Sequence, residues 1–316
     1  LEANAVFSGG GVKGIAFVGA IKVFEEMGYR FRKLAGTSSG AIVASLLAAG
    51  YTGDEINQLI RTLDYKRIIA KNVWDRIPLG RPLRLLFKKG LYSGDYLENW
   101  IDQQLARKNV STFSDLPPDR LQIIASNLSK GTILQFPKDA HLFTHRPEKM
   151  KISRAIRMSI SIPFFFDPIR IKNKEVEYIV DGGVISNFPI WLFDHETPDK
   201  IPTFGFNIRS KNTEHYYKIR DPFTMLYALI SVMLENQDQK YIEKQDAVRT
   251  IFIKTDGVKA TDFYLGEKEQ EVLYLAGKEA AYKFFRTWNF SDYVSRYVRK
   301  NQLSVSLNTP ASSSKR

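Results

Sequence analysis

The 316-residue chain has no cysteine, which excludes disulfides, thiolate metal sites and a cysteine nucleophile. Histidine is scarce. His141, His145, His195 and His215 are the full set, a thin supply for a histidine-based metal centre or triad. Long apolar runs are also missing. The longest uncharged apolar stretch, residues 223–234, is too short to cross a bilayer as a helix and has the length of a buried core helix. No basic segment ahead of an apolar run marks a secretory signal, so a cytoplasmic or peripheral-membrane location is expected, with secretion left open because the sequence does not start with Met. Acidic residues are outnumbered, 34 against 46 Lys and Arg, leaving a net charge of +12. That excess favours an anionic partner: a nucleic acid, an acidic membrane surface or a phosphate-bearing substrate.

Apolar residues make up 44% of the chain and charged ones 25%, which excludes global disorder and supplies a full core. Residues 3–7 are a short apolar run stopped by Ser8 and three glycines, the mark of a buried strand. Residues 14–27 carry Ile15, Val18 and Ile21 at helical spacing, with Gly28 as a stop. Residues 31–35 repeat the strand, Gly36 the turn, and residues 38–49 the helix. Strand, glycine turn and helix, twice over, predict a parallel sheet covered by helices. Further helices are expected at 52–63, 93–105 (with Ser93 as N-cap), 222–244 and 266–286. Further strands are expected at 121–125, 132–136, 175–180, 203–208 and around Ile251 and Ile253. With no repeat and no linker, residues 1–300 are expected to form one α/β domain. Its motifs lie within residues 5–210, followed by a helical part over residues 220–290, and the Ser-rich residues 301–316 read as a flexible tail.

The two glycine turns carry the chemistry. Residues 36–40 have the form G-x-S-x-G between a strand and a helix, the setting of a nucleophile elbow. Gly36 and Gly40 permit a tight turn that lifts Ser38 out of the strand end, where the following helix aims free N–H groups at the same spot. Residues 9–14, GGGVKG, also satisfy G-x-G-x-x-G. A dinucleotide site would need an acid at the end of the second strand, and that strand ends in Ala35-Gly36. The P-loop spacing fails as well, because Lys13 is followed by Gly14. What remains is a loop of bare amides suited to an oxyanion.

A serine hydroxyl needs a base. His215 lies in a polar stretch, His195 at an expected helix end, and His141 and His145 alternate like an exposed strand face; none stands at a glycine turn. Asp181 does. It ends the strand over 175–180, is followed by Gly182 and Gly183, and is expected at the carboxyl end of a strand in a parallel sheet, as Ser38 is. Burial in an apolar pocket would raise its weak basicity.

These blocks resemble the patatin-like phospholipases of bacterial type. Residues 9–14 match the family's oxyanion loop, residues 36–40 its serine elbow and residues 181–183 its D-G-G/A motif. Residues 155–168, AIRMSISIPFFFDP, resemble the block that walls its site. The resemblance implies a three-layer α/β/α fold with a mostly parallel central sheet. It also implies hydrolysis of acyl esters of phospholipids or lysophospholipids by a Ser–Asp dyad, without histidine, metal or other cofactor. Ser38 is then the nucleophile and Asp181 the general base and acid. Gly9, Gly10, Gly11 and Val12 form the oxyanion hole. Lys13, Gly14, Gly36, Gly40, Ser161, Pro163, Gly182 and Gly183 are motif or site-wall residues. A triacylglycerol lipase or an acyltransferase on the same dyad stays open, as does a non-catalytic lipid- or nucleotide-binding module.

Residues 66–89 hold eight basic residues and a single acid, Asp75. Apolar residues are interleaved with the charges. Trp74, Arg76, Arg81, Arg84, Phe87, Lys88 and Lys89 are therefore candidates for contact with an anionic membrane surface or for a lid over the pocket. The alternative is a helical cap whose apolar residues face the core. No nucleic-acid module accompanies the charge, and no nucleic acid is expected.

Overall fold

The computed structural model of the chain describes residues 1–70, 73–76, 79–172, 174–194, 201–209, 217–236, 246–260 and 262–295. The first strand, β1 (Glu2–Phe7), is buried from Ala3 onward, as a strand covered on both faces must be. The chain turns through residues 8–14 into helix α1 (Ile15–Glu26), returns along β2 (Arg30–Thr37) and turns again into α2 (Ser39–Ala48). Next come α3 (Gly53–Arg61), α4 (Tyr65–Ile68), α5 (Gly80–Lys88), β3 (Gly90–Tyr92) and α6 (Asp95–Arg107). Strands β4 (Leu121–Asn127) and β5 (Thr132–Phe136) precede α7 (Ile152–Ser159), β6 (Phe164–Phe166), β7 (Ile169–Lys172) and β8 (Val176–Asp181). The chain continues with β9 (Thr203–Arg209), α8 (Pro222–Asn236), β10 (Thr250–Lys254) and α9 (Glu267–Phe285).

Eight of these strands form one sheet in the order β10-β9-β1-β2-β4-β8-β7, with β5 also paired to β4; β3 and β6 pair apart from it. The run from β10 to β4 is parallel throughout. β5, β7 and β8 are antiparallel to their neighbours. The period of two along each strand divides the core. Ala5, Phe7, Leu34 and Ile123 face α1, α2 and the larger core, while Val6, Ala35 and Ile124 pack on Phe188, Ile190, Leu192 and Phe193. On the larger side, Phe24 of α1 lies 5.0 Å from Phe206 of β9 and 4.6 Å from Phe285 of α9.

Several expectations need correction. The segment with His141 and His145 is not a strand: residues 138–142 form a short 3-10 turn and both histidines are exposed. α6 starts at Asp95 with Gly94 as N-cap, in the left-handed region at φ 77°; Ser93 Oγ accepts the Asp95 N–H at 3.3 Å. α7, β3, β6 and β7 carry patterns too short for periodicity to reveal. His195, His215, residues 237–244 of the expected long helix and the tail 301–316 lie outside the described residues.

Candidate active site

Phe7 of β1 stands opposite Gly36 of β2, so the turns leaving the two strands open at the same edge of the sheet. Gly40 lets the second turn close against the first: a Cβ there would stand 2.5 Å from the Phe7 and Ser8 carbonyl oxygens, and one on Gly36 would strike the Gly40 backbone. Ser38 sits between them at φ 53°, ψ −124°, a conformation an L-residue keeps only when its surroundings impose it. Ser159 helps impose it. Its Oγ accepts the Ser38 N–H at 2.8 Å and donates to the Ile124 carbonyl at 2.5 Å.

Asp181 does not arrive on a parallel strand, as expected, because β8 runs antiparallel to β4. It reaches Ser38 by a different route. β5 occupies one edge of β4 from Ile123 to Asn127. On the other edge Thr37 pairs with Ile124, and Asp181 with the next residue, Ala125. β2 and β8 therefore share that edge and end head to head. Ser38 follows Thr37 directly and stands beside Asp181 at the seam. The Ser161 carbonyl holds the Asp181 N–H at 2.9 Å, and a Cβ on Gly182 would crowd Thr37 Cγ2 at 2.7 Å.

The Asp181 side chain is fully buried. Oδ1 accepts the Gly183 N–H at 2.7 Å, while Oδ2 has no well-formed hydrogen bond among the described residues. Burial pushes the carboxyl up to about 7; the neighbouring Ser38 hydroxyl and the Gly183 N–H pull the other way and are outweighed. Ser38 is thus near enough to weigh on the carboxyl but short of full hydrogen-bond geometry.

The loop expected to hold an oxyanion offers fewer free amides than expected. The Gly9 N–H donates to the Asn187 carbonyl and the Val12 N–H to the Ala260 carbonyl, both at 3.0 Å. Those two amides are spent on the fold. Gly10 and Gly11 are the members of the loop whose N–H groups have no partner among the described residues. At the start of α2, Ala41 and Ile42 bond back to the Ser38 carbonyl, and the Ser39 and Gly40 amides have no partner among the described residues. Lys13 is buried and its N–H donates to Gly10 at 3.2 Å. A Cβ on Gly14 would stand 2.9 Å from Ser39 Cβ, which is how closely the loop packs on the elbow.

An apolar cavity, open to solvent, begins at this site. Gly11, Val12, Gly14, Ile15, Ser38 and Ser39 line one side. Ile42 and Val43 of α2, Ile160, Ile162, Phe166 and Phe263 continue the wall, and Ile60, Leu63, Tyr65, Ile68, Leu97 and Trp100 complete it. Ser161 and Pro163 are not among the lining residues. Ser161 Oγ is held by buried Arg157 at 2.6 Å, so its part is to brace Asp181 from behind. Sequence reasoning passed over Ser159, Ser39 and Phe263. Ser159 lies in the SIS of residues 159–161, but nothing local marks which serine turns toward Ser38.

The basic segment divides in two. Arg76, Arg81, Phe87, Lys88 and Lys89 are exposed and Trp74 is half-buried. Arg84 is not available to a membrane: it is buried, bonded to the Gly90 carbonyl and, at 2.7 and 3.0 Å, to the Asp167 carboxylate. Lys71 and Ile77 lie outside the described residues. No cluster of three or more His, Asp or Glu residues able to hold a metal occurs among the described residues.

Residues 5–194 match the family described as patatin-like phospholipase. The chain is 40% identical to the uncharacterized protein YqhO of Bacillus subtilis (strain 168), covering 91% of this chain and 99% of that one. It is 29% identical to a probable lipid hydrolase, 463L, of Invertebrate iridescent virus 6, over 58% of this chain and 61% of that one. The crystal structure of VipD from Legionella pneumophila superposes with a TM-score of 0.55 over 90% of this chain and 67% of that one, at 18% identity, a likeness of fold.

Proposed function

The chain belongs to the patatin-like phospholipase family, and on that premise we propose that it is a serine acyl hydrolase acting on phospholipids or lysophospholipids through Ser38 and Asp181. One observation carries this reading: a fully buried carboxylate with a free oxygen stands beside a serine in a forced turn, at the wall of an apolar cavity. Asp181 takes the Ser38 proton as Oγ attacks the ester carbonyl. The carbonyl oxygen, now charged, is received by the free amides of Gly10 and Gly11, with those at the start of α2 beside them. Asp181 then passes its proton to the departing alcohol, leaving an acyl-enzyme on Ser38. Water, deprotonated by the same carboxylate, releases the fatty acid. The cavity takes the acyl chain, since its wall offers apolar surface and little that hydrogen-bonds.

Purified protein incubated with defined phospholipids, lysophospholipids and triacylglycerol, with products followed by mass spectrometry, tests the proposal. Free fatty acid from the phospholipid classes is expected, and none from Ser38→Ala. Acyl transfer to an added alcohol without fatty acid release would favour a transferase. No turnover of any ester would leave a binding module.

A further inference from the structure

Helix α5 turns its apolar side outward. Leu79, Leu83, Leu86 and Phe87 fall at i, i+4, i+7 and i+8, a single stripe along a helix, and a helix capping a core buries such a stripe. Here Leu79 is 76% exposed, Leu86 71% and Phe87 65%. The helix instead buries Gly80 and Arg84. Arg84 grips Asp167 with two hydrogen bonds, and Asp167 directly follows Phe166 of the cavity wall. The contact that directs the stripe outward therefore also ties it to the site. Around the stripe stand the exposed cations Arg76, Arg81, Lys88 and Lys89. Asp75, the acid within the basic segment, is paired with Arg81 at 2.7 Å, and Asp167 is taken up by Arg84. Trp74 stacks on Phe87 with ring centroids 6.4 Å apart.

We propose that α5, with Leu79 and Lys89, is a docking surface for an anionic lipid bilayer, seating the acyl cavity at the interface. The proposal takes its purpose from the hydrolase reading above, but its geometry is independent of it. Apolar side chains ringed by cations match a bilayer twice, by insertion below the headgroups and by attraction to their charge. A nucleic acid would use the cations and leave the leucines wet. A second copy of this chain, meeting the same patch by a two-fold axis, would set the same cations against each other. Helix α5 spans nine residues, so it lies on the surface and does not cross.

Binding is measured by sedimentation of Ser38→Ala protein with vesicles of phosphatidylcholine alone and of phosphatidylcholine mixed with phosphatidylglycerol. Partition is expected into the mixed vesicles and to fall with added salt. Lys88→Gln/Lys89→Gln and Leu86→Gln/Phe87→Gln, each added to this protein, should each weaken it on the order of tenfold. The same pairs in otherwise wild-type protein should hydrolyse a short soluble ester at the wild-type rate. The idea is overturned if both vesicle types bind equally, if neither binds, or if either pair binds as the parent does. It is equally overturned by duplex DNA binding that survives the Leu86/Phe87 pair while vesicles stay free, or by a dimer in solution that this pair dissolves. Failure of wild-type protein to cleave the soluble ester would count against the hydrolase reading and leave the vesicle result standing.

Discussion

Burial gives the Asp181 carboxyl two consequences of opposite sign. With its pKa pushed up to about 7, it would serve the proposed reaction as a base matched to neutral pH. Hydrolysis of a soluble ester should therefore climb about tenfold per pH unit below about pH 7 and level off above it; a kcat/KM profile flat across that range would contradict this. The same shift weakens the fold. An unfolded aspartate titrates at about 4, so between about pH 4 and 7 the folded chain holds a proton the unfolded chain has lost, and stability falls as pH rises through that window. Asp181→Asn carries no charge to bury. Above about pH 7 it should be more stable than wild type by on the order of 4 kcal/mol, and below about pH 4 little different, read from urea denaturation at several pH values. Ser159 shows what local sequence hides. Ser38, Asp181 and the glycines announce themselves by spacing beside strands and helices. Ser159 reaches Ser38 across 121 positions and looks like any small residue in its block. Ser159→Ala leaves a buried N–H unpaired, so a loss of about 1 to 3 kcal/mol is expected. The kcat for a soluble ester should fall while KM holds; an unchanged kcat would remove Ser159 from the account.

At the scale of elements, the alternation of strand, glycine turn and helix was readable because each unit is long enough to show its period. Direction was not. Nothing in residues 176–181 says that β8 enters antiparallel, and Asp181 meets Ser38 because β8 and β2 divide one edge of β4. The free amides of the first turn were also beyond reach, since Asn187 and Ala260 decide which ones are spent. The short helices depend on their partners. α5 has the spacing of a core-facing helix, and the ion pair of Arg84 with Asp167 reverses it. α3 has a clearer job: a capping box of Thr52 and Glu55 starts it, and Ile60 near its end lines the cavity. Ile60→Trp narrows that space. Its expected effect is a shift of preference toward shorter acyl chains, with the rate on a short soluble ester kept, as a chain-length series of lysophospholipids would report. An unaltered series would mean that the acyl chain lies elsewhere.

For the whole molecule, the site is assembled from both ends of the chain. The family match stops at residue 194, yet Ala260 ties down the Val12 amide and Phe263 lines the cavity. β10 extends the sheet beside β9, and α9 packs Phe285 against Phe24 of α1. In the sequence, this later region shows elements without motifs, so its part in the site was invisible. A chain ending at residue 216 should lose the cooperative unfolding transition of the full chain as well as its activity, checked by calorimetry. A stable, active truncation would show that the later elements are dispensable. The central claim is the pairing of Ser38 with Asp181, and intact-mass measurement of fluorophosphonate labelling tests it most directly. The account predicts one adduct per chain, on Ser38, forming faster as pH rises through about 7, and no comparable labelling of folded Asp181→Asn. Labelling of Asp181→Asn at the wild-type rate, or none of the wild type, would contradict it.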